Sequence, residues 1–175
     1  MAKHPTYREL KKKVTLLQEE LANKEADQTT LRINQKRLKS LWKLASMTNS
    51  AFKTVCDTLL EEIVLMSESR YGFFGFINDD ETRMQIFSWS EAVFHDCTIH
   101  TKPISFPIEK SGIWGNAVRH RKPVLYNDYN QDLENKRGVP DGHVKITGLL
   151  SVPVFSNQGK IVLLGCVANK NAPYD

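Results

Sequence analysis

The chain has 175 residues, 41% hydrophobic and 25% charged, with a formal net charge of +4; that apolar share excludes a disordered polar chain, and the length suits one domain with an appendage. The charge is uneven: residues 1–52 carry 11 Lys/Arg against 5 Asp/Glu, while residues 53–175 carry 13 against 15. The basicity thus belongs to the N-terminal segment, and the remainder lacks the basic, aromatic-bearing face of a nucleic-acid reader.

The start, "MAKHPTYRELKKK", is charged where a secretory signal turns apolar, and no run approaches the roughly 18 apolar residues of a membrane span. These features predict a cytoplasmic protein without membrane insertion. From Leu10 a spacing of four and three runs through Val14, Leu17, Leu21, Lys24, Gln28, Leu31, Gln35, Leu38, Trp42, Ala45, Asn49 and Phe52, uninterrupted by Gly or Pro. That is the seam of a coiled coil, and it predicts a long helix paired with a second copy of itself, the polar positions setting register.

Beyond Asn49 the pattern becomes an amphipathic helix reaching about Ser69, with Cys56, Leu59, Leu60, Ile63 and Val64 on the buried face. "YGFFGFI" at 71–77 reads as a central strand whose glycines admit something close to the backbone. "NDDET" is a turn, and "RMQIFSWS" alternates as the second strand of a hairpin. On a strict period of two, Phe87 and Trp89 share a face opposite Met84 and Ile86.

The middle is mixed. "SFPI" predicts a short strand, Ser111 and Gly112 a helix start, and Ile113, Trp114, Ala117, Val118 and Arg121 one helical face that Pro123 ends. "PVLY" is another short strand, and Asn127–His143 a long loop of the kind that serves as a lid. "GLLSVPVF" and "KIVLLGCVA" flank "SNQG" as a final hairpin, with Pro153 at an edge or a bulge. The plan is α+β with an antiparallel sheet.

"FPIEKSGIWGNAVRHRKPVLYNDY", "RGVPDGHVKITGLLSVPVF", "GCVANKNAPYD" and "SWS" with Cys97 downstream resemble the GAF domains of bacterial multidomain sensors, especially sensor histidine kinases and sensory-box proteins. The resemblance covers residues 38–175, leaving 1–37 as a coiled-coil signalling helix. It implies a six-stranded antiparallel sheet with helices on both faces, dimerising helices on one side and a small-molecule pocket on the other. GAF domains bind cyclic nucleotides, bilins, haem, small metabolites or nothing known, so no single cofactor follows. The resemblance also implies an output domain, such as a histidine kinase, beyond "NKNAPYD", where such proteins begin an exit helix.

The candidate ligand contacts are Phe87, Trp89, Cys97, Trp114, Asp128 and His143. Aromatic rings supply stacking surface, and a few polar groups orient a ligand. Asn127 reads as turn chemistry, and Arg119, Arg121 and Lys122 as a solvated helix face. His95, Cys97, His100 and His143 lack the paired spacing of a zinc site. Three cysteines without a CxxC point to reduced thiols, Cys56 and Cys166 being core positions. With no P-loop, dinucleotide fingerprint or hydrolase motif, the segment is expected to carry no catalysis. Two rivals remain: a ligand-free dimerisation module whose pocket is filled by Phe87, Trp89 and Trp114, and a thiol-dependent reductase of free methionine sulfoxide, a chemistry found in one GAF-type family.

Overall fold

The computed structural model describes residues 5–98, 105–139 and 141–175. It divides into two units, one ending at Ala45 and the other running Ser46–Asp175.

The first unit is a single helix, α1, Tyr7–Ala45, about 58 Å long at 1.5 Å per residue. Its start is a capping box: the Thr6 backbone N–H donates to Glu9 Oε2 at 2.7 Å, and the Glu9 N–H donates to Thr6 Oγ1 at 3.3 Å. These bonds hold the Glu9 carboxyl below its ordinary pKa. Leu10, Val14, Leu17, Leu21, Leu31 and Leu38, all on the predicted seam, are exposed. The helix does not continue to Phe52 as the seam predicts. It stops where Ser46, Thr48, Asn49 and Ser50 cluster, residues that compete with helical hydrogen bonding through their own side chains.

The second unit is a six-stranded sheet with helices on both faces. Helix α2, Phe52–Met66, leads into strands β1, Tyr71–Ile77, and β2, Arg83–Trp89. Helix α3, Glu91–Asp96, and strand β3, Ser105–Pro107, follow. A 3₁₀ turn at Ile113–Gly115 runs into α4, Asn116–Arg119. Strands β4, Val124–Tyr126, β5, Leu149–Phe155, and β6, Ile161–Ala168, complete the chain. The order is β3-β2-β1-β6-β5-β4, every pair antiparallel. Pro153 lies beyond the short β4, where β5 has a neighbour on one side only, so its missing N–H costs no ladder bond on that side. No helix among the described residues is long and apolar enough to cross a membrane.

Two cores lie on opposite faces of this sheet. On one, Cys56, Leu60 and Val64 of α2 pack on Phe74, Val167 and Tyr174, with Phe76, Phe87, Leu150 and Leu163 at the margin. Close approach here needs Gly72, where an added Cβ would lie 2.6 Å from Val64 Cγ2. The other core is larger and gathers Met84, Ile86, Val93, Ile113, Ala117, Leu164 and Cys166 beneath α3, α4 and the loops.

A β-bulge decides which side chains reach which core. Phe74 pairs with Ser88, but Gly75 pairs with Ile86, so Phe87 is the extra residue in β2. Gly75 makes room for it: a Cβ there would sit 2.5 Å from the Gln85 carbonyl oxygen. Phe87 therefore turns away from Trp89 and packs against Phe52, Phe74 and Phe76. Next to it, the Ser88 hydroxyl donates to Asp57 of α2 at 2.8 Å. Met84, Ile86 and Trp89 face the other core, which corrects the strict two-residue alternation.

Candidate functional site

The larger core is not fully packed. It encloses a cavity of about 300 Å³ between the sheet and the segments covering it. The sheet contributes Tyr71, Phe73, Ile86, Trp89, Leu149 and Cys166, α3 and its C-terminal end contribute Val93 and Cys97, and the turn before α4 contributes Trp114. The long loop supplies Tyr129, Arg137, His143 and Val144. Three aromatic contacts stiffen the wall: Phe73 lies 5.3 Å from Trp89 and 5.9 Å from Trp114, and Phe106 lies 5.7 Å from Trp114. The last two are edge-to-face, the arrangement that the ring quadrupole favours.

Polar side chains fasten the covering segments to one another. Asn116, 0% exposed, donates from Nδ2 to the Tyr126 hydroxyl at 2.8 Å and to the Glu134 carbonyl at 3.0 Å. Its Oδ1 accepts from Asn135 Nδ2 at 2.9 Å and from Arg119 Nε at 3.0 Å. Arg119 then donates to the Ile108 carbonyl at 2.7 Å, the Ser111 hydroxyl at 2.9 Å and the Gly112 carbonyl at 2.8 Å. Its half-burial lowers the guanidinium pKa from the ordinary value. The expected solvated face at Arg119 is thus corrected: the side chain is an internal tie. Arg121 also departs from expectation, leaving the helix at positive φ to pair with Glu81.

At the sheet edge of the cavity, the Tyr71 hydroxyl donates to Asp96 Oδ2 at 2.7 Å, and Arg70 pairs with the same oxygen at 2.8 Å. Together they hold the Asp96 carboxyl below its usual range, while burial, with the Asp96 bond, pushes the Tyr71 hydroxyl up. Just past β4, Asn127 grips the C-terminal segment with two bonds. Its Nδ2 donates to the Tyr174 carbonyl at 3.1 Å, and the Tyr174 N–H donates to its Oδ1 at 2.7 Å.

Of the six residues singled out from the sequence, Trp89, Cys97, Trp114 and His143 meet at the cavity. Phe87 does not, because the bulge delivers it to the α2 face. Asp128 does not either: it is exposed, and its carboxylate accepts the Asn130 N–H at 2.9 Å, an Asx turn. His143 Nδ1 lies 2.7 Å from the Val144 carbonyl; a carbonyl only accepts, so this nitrogen carries the proton and Nε2 is left for other partners. Cys97 is buried in the wall. Cys166, expected in the core, is buried and also borders the cavity, beside the Ser151 hydroxyl at 3.0 Å; burial pushes its thiol up to about 12. His100 lies outside the described residues. Sequence reasoning missed Asn116, Tyr71, Tyr129, Lys110 and Arg137. The available signal for Asn116 was a single amide on the apolar stripe of "GIWGNAV", three residues before Arg119 and so on the same helical side.

An antiparallel six-stranded sheet with a helix on one face and a loop-covered cavity on the other defines the class, and comparison with known proteins gives the family. The GAF domain family profile matches residues 49–175, and the chain belongs to that family. Over 165 residues it is 33% identical to the methyl sulfide methyltransferase-associated sensor of Methanosarcina acetivorans, a match covering 94% of this chain and 16% of that protein. The chain thus spans about a sixth of the length of this relative. Among solved structures it resembles the GAF domain of a phosphoenolpyruvate-protein phosphotransferase from Coxiella burnetii, with a TM-score of 0.61 at 12% identity, covering 79% of this chain and 80% of that one. It also resembles the free methionine-R-sulfoxide reductase of Neisseria meningitidis, solved with its substrate, with a TM-score of 0.59 at 10% identity, covering 82% and 79%. At these identities the structural likenesses establish the fold.

Proposed function

We propose that this chain is a non-catalytic, cytoplasmic sensing module that holds a small molecule in the cavity and passes occupancy to an output domain, such as a histidine kinase, through paired helices. The observation that carries the reading is the cavity itself: about 300 Å³ walled by aromatic side chains. A pocket of roughly 300–1,000 Å³ with a few convergent polar groups is the usual form of a small-molecule site. The sensor-named relative supports the sensing role. The exposed seam of α1 supports pairing with a second copy, since isolated helices of this kind gain stability by covering such a stripe.

A ligand shifts an output only by binding two arrangements with different affinity. The Asn127–Tyr174 bonds offer a route, because the root of the cavity loop and the C-terminal segment share them. Native mass spectrometry of the protein from its own host tests the whole reading. A dimer carrying a discrete extra mass, lost in Trp114→Ala, is the expected result. An apo dimer favours the ligand-free module, and a monomer removes the pairing role of α1.

One observation favours a second reading. Cys97 and Cys166 both border the cavity, and some structures of the same fold are methionine sulfoxide reductases. The Cys166 thiol, at about 12, supplies little thiolate at neutral pH, and thiolate is the reacting form. Turnover of free methionine-R-sulfoxide with dithiothreitol decides for this enzyme, and its absence decides against it.

A further inference from the structure

Among the described residues, the charged side chains that line the cavity are of one sign. The described residues that line it include two permanent cations, Lys110 and Arg137, and the His143 ring, but no aspartate or glutamate. Asp96, which touches the lining residue Tyr71, is already held by Arg70 and by the Tyr71 hydroxyl. Glu109 and Asp141, the acidic neighbours of the rim in sequence, are not part of the lining. Lys110 and Arg137 are exposed and come from two covering segments, the stretch after β3 and the long loop. Among the described residues, a bond from Arg137 Nη2 to the Glu109 carbonyl at 3.3 Å links the two segments. It uses one of five guanidinium N–H groups and leaves the fork able to take an oxyanion.

From this we infer that the ligand is a small apolar, ring-bearing molecule with one anionic group, its ring between Trp89 and Trp114 and its oxyanion at Lys110 and Arg137. The inference rests on the cavity being a ligand site and names the chemical class that the site takes. A cationic tail would meet only positive charge at the mouth. A neutral molecule would gain from the aromatic wall alone. A volume of about 300 Å³ admits one or two fused rings and stands at the lower limit of the usual pocket range of about 300–1,000 Å³. An apolar body with a fixed anion matches both parts of the site, the dry wall and the cationic rim, whereas a highly charged polyphosphate matches the rim alone.

The test uses three probes with one ring system, indole-3-acetate, 3-methylindole and tryptamine, titrated by calorimetry into the full chain. Indole-3-acetate should bind about tenfold tighter than 3-methylindole, with tryptamine weakest, an advantage of the size that rim charge pairs provide. That advantage should shrink several-fold in 0.5 M salt, and in the double variant Lys110→Gln, Arg137→Gln, while 3-methylindole binds the variant as before. Equal binding of the acid and the neutral probe overturns the inference and leaves the cavity reading standing. So does an acid preference that survives the double variant. Failure of all three probes, 3-methylindole included, overturns the cavity reading and the inference with it.

Discussion

The two faces of the sheet are built from similar residues and end in different states. Both are lined by aromatic and aliphatic side chains, yet over β1 and β2 one is packed directly by the single 15-residue helix α2, with Leu125, Val152 and Val154 of the same face left exposed, and the other keeps a cavity of about 300 Å³. The covering layer makes the difference. Helix α2 presents Cys56, Leu60 and Val64 as one apolar stripe that meets Phe74 and the Gly72 groove directly. On the other face the cover is assembled from a six-residue helix, a four-residue helix and loops, none long enough to offer such a stripe. Polar bonds from Asn116 and Arg119 tie these segments to one another, and the Ser151 hydroxyl of β5 holds the Trp114 carbonyl at 2.9 Å. Where one apolar stripe meets the strands, as α2 does over β1 and β2, no space remains; where short segments joined by hydrogen bonds complete the cover, a cavity does.

The sharpest way to break this comparison is to remove packing on the closed face. Leu60 is 2% exposed, so Leu60→Ala should cost about 3 kcal/mol, within the usual span for a buried leucine. Denaturant unfolding would measure it, and 3-methylindole affinity should be unchanged; a loss below about 1 kcal/mol would show that α2 does not carry this face. Next comes the strut. Asn116→Ala strands the groups that Asn116 now satisfies and should cost about 2 kcal/mol, with proteolysis of the 127–143 loop accelerating well beyond what the global loss explains. Stability loss without faster loop cleavage would count against its role as a tie.

A smaller and more discriminating effect separates two aromatic residues that the sequence grouped together. Phe87→Ala should lower stability by about 1–2 kcal/mol, as a half-buried aromatic does, and leave probe binding intact. Trp114→Ala removes the edge contacts to Phe73 and Phe106 and enlarges the cavity, so it should cost a similar amount of stability and also abolish or reshape binding. The reverse pattern would place the ligand on the α2 face. The smallest effect is on pH dependence. Asp96 has a folded pKa below its ordinary value of 3.8, so its contribution is fully present above that value and drains away as pH falls through the folded one. Melting temperature from pH 7 to pH 3 should drop less in Asp96→Asn than in the parent chain, and parallel curves would remove the Arg70–Asp96–Tyr71 cluster from the stability account.

Much of the frame was legible because it depends on period and punctuation. The stripe of Cys56, Leu60 and Val64, the turn between β1 and β2 and the final hairpin with Pro153 beyond β4 all follow from spacing. The break at 46–51 was not, since the heptad runs on through Asn49 to Phe52 while the local Ser, Thr and Asn chemistry ends the helix. Phe87 was misassigned because alternation assumes no inserted residue, and the compensating feature, Gly75, lies on the neighbouring strand. Helix α3 is too short to display a period. Cys166 was assigned to the core on hydrophobic pattern, which cannot distinguish a filled interior from a lined void. Asp128 was a choice between pocket and turn, and the backbone two residues on took its carboxylate.

The ties at Asn116 have one more consequence. A single amide side chain touches α4, the end of β4 and two consecutive residues of the long loop. Neither α4 nor the loop can part from β4 without breaking bonds at Asn116. These segments are therefore expected to open together as one unit of local unfolding. Its amides should exchange with solvent at a shared rate faster than that of β1 and β6, so that the binding site opens like a door on one latch rather than fraying residue by residue.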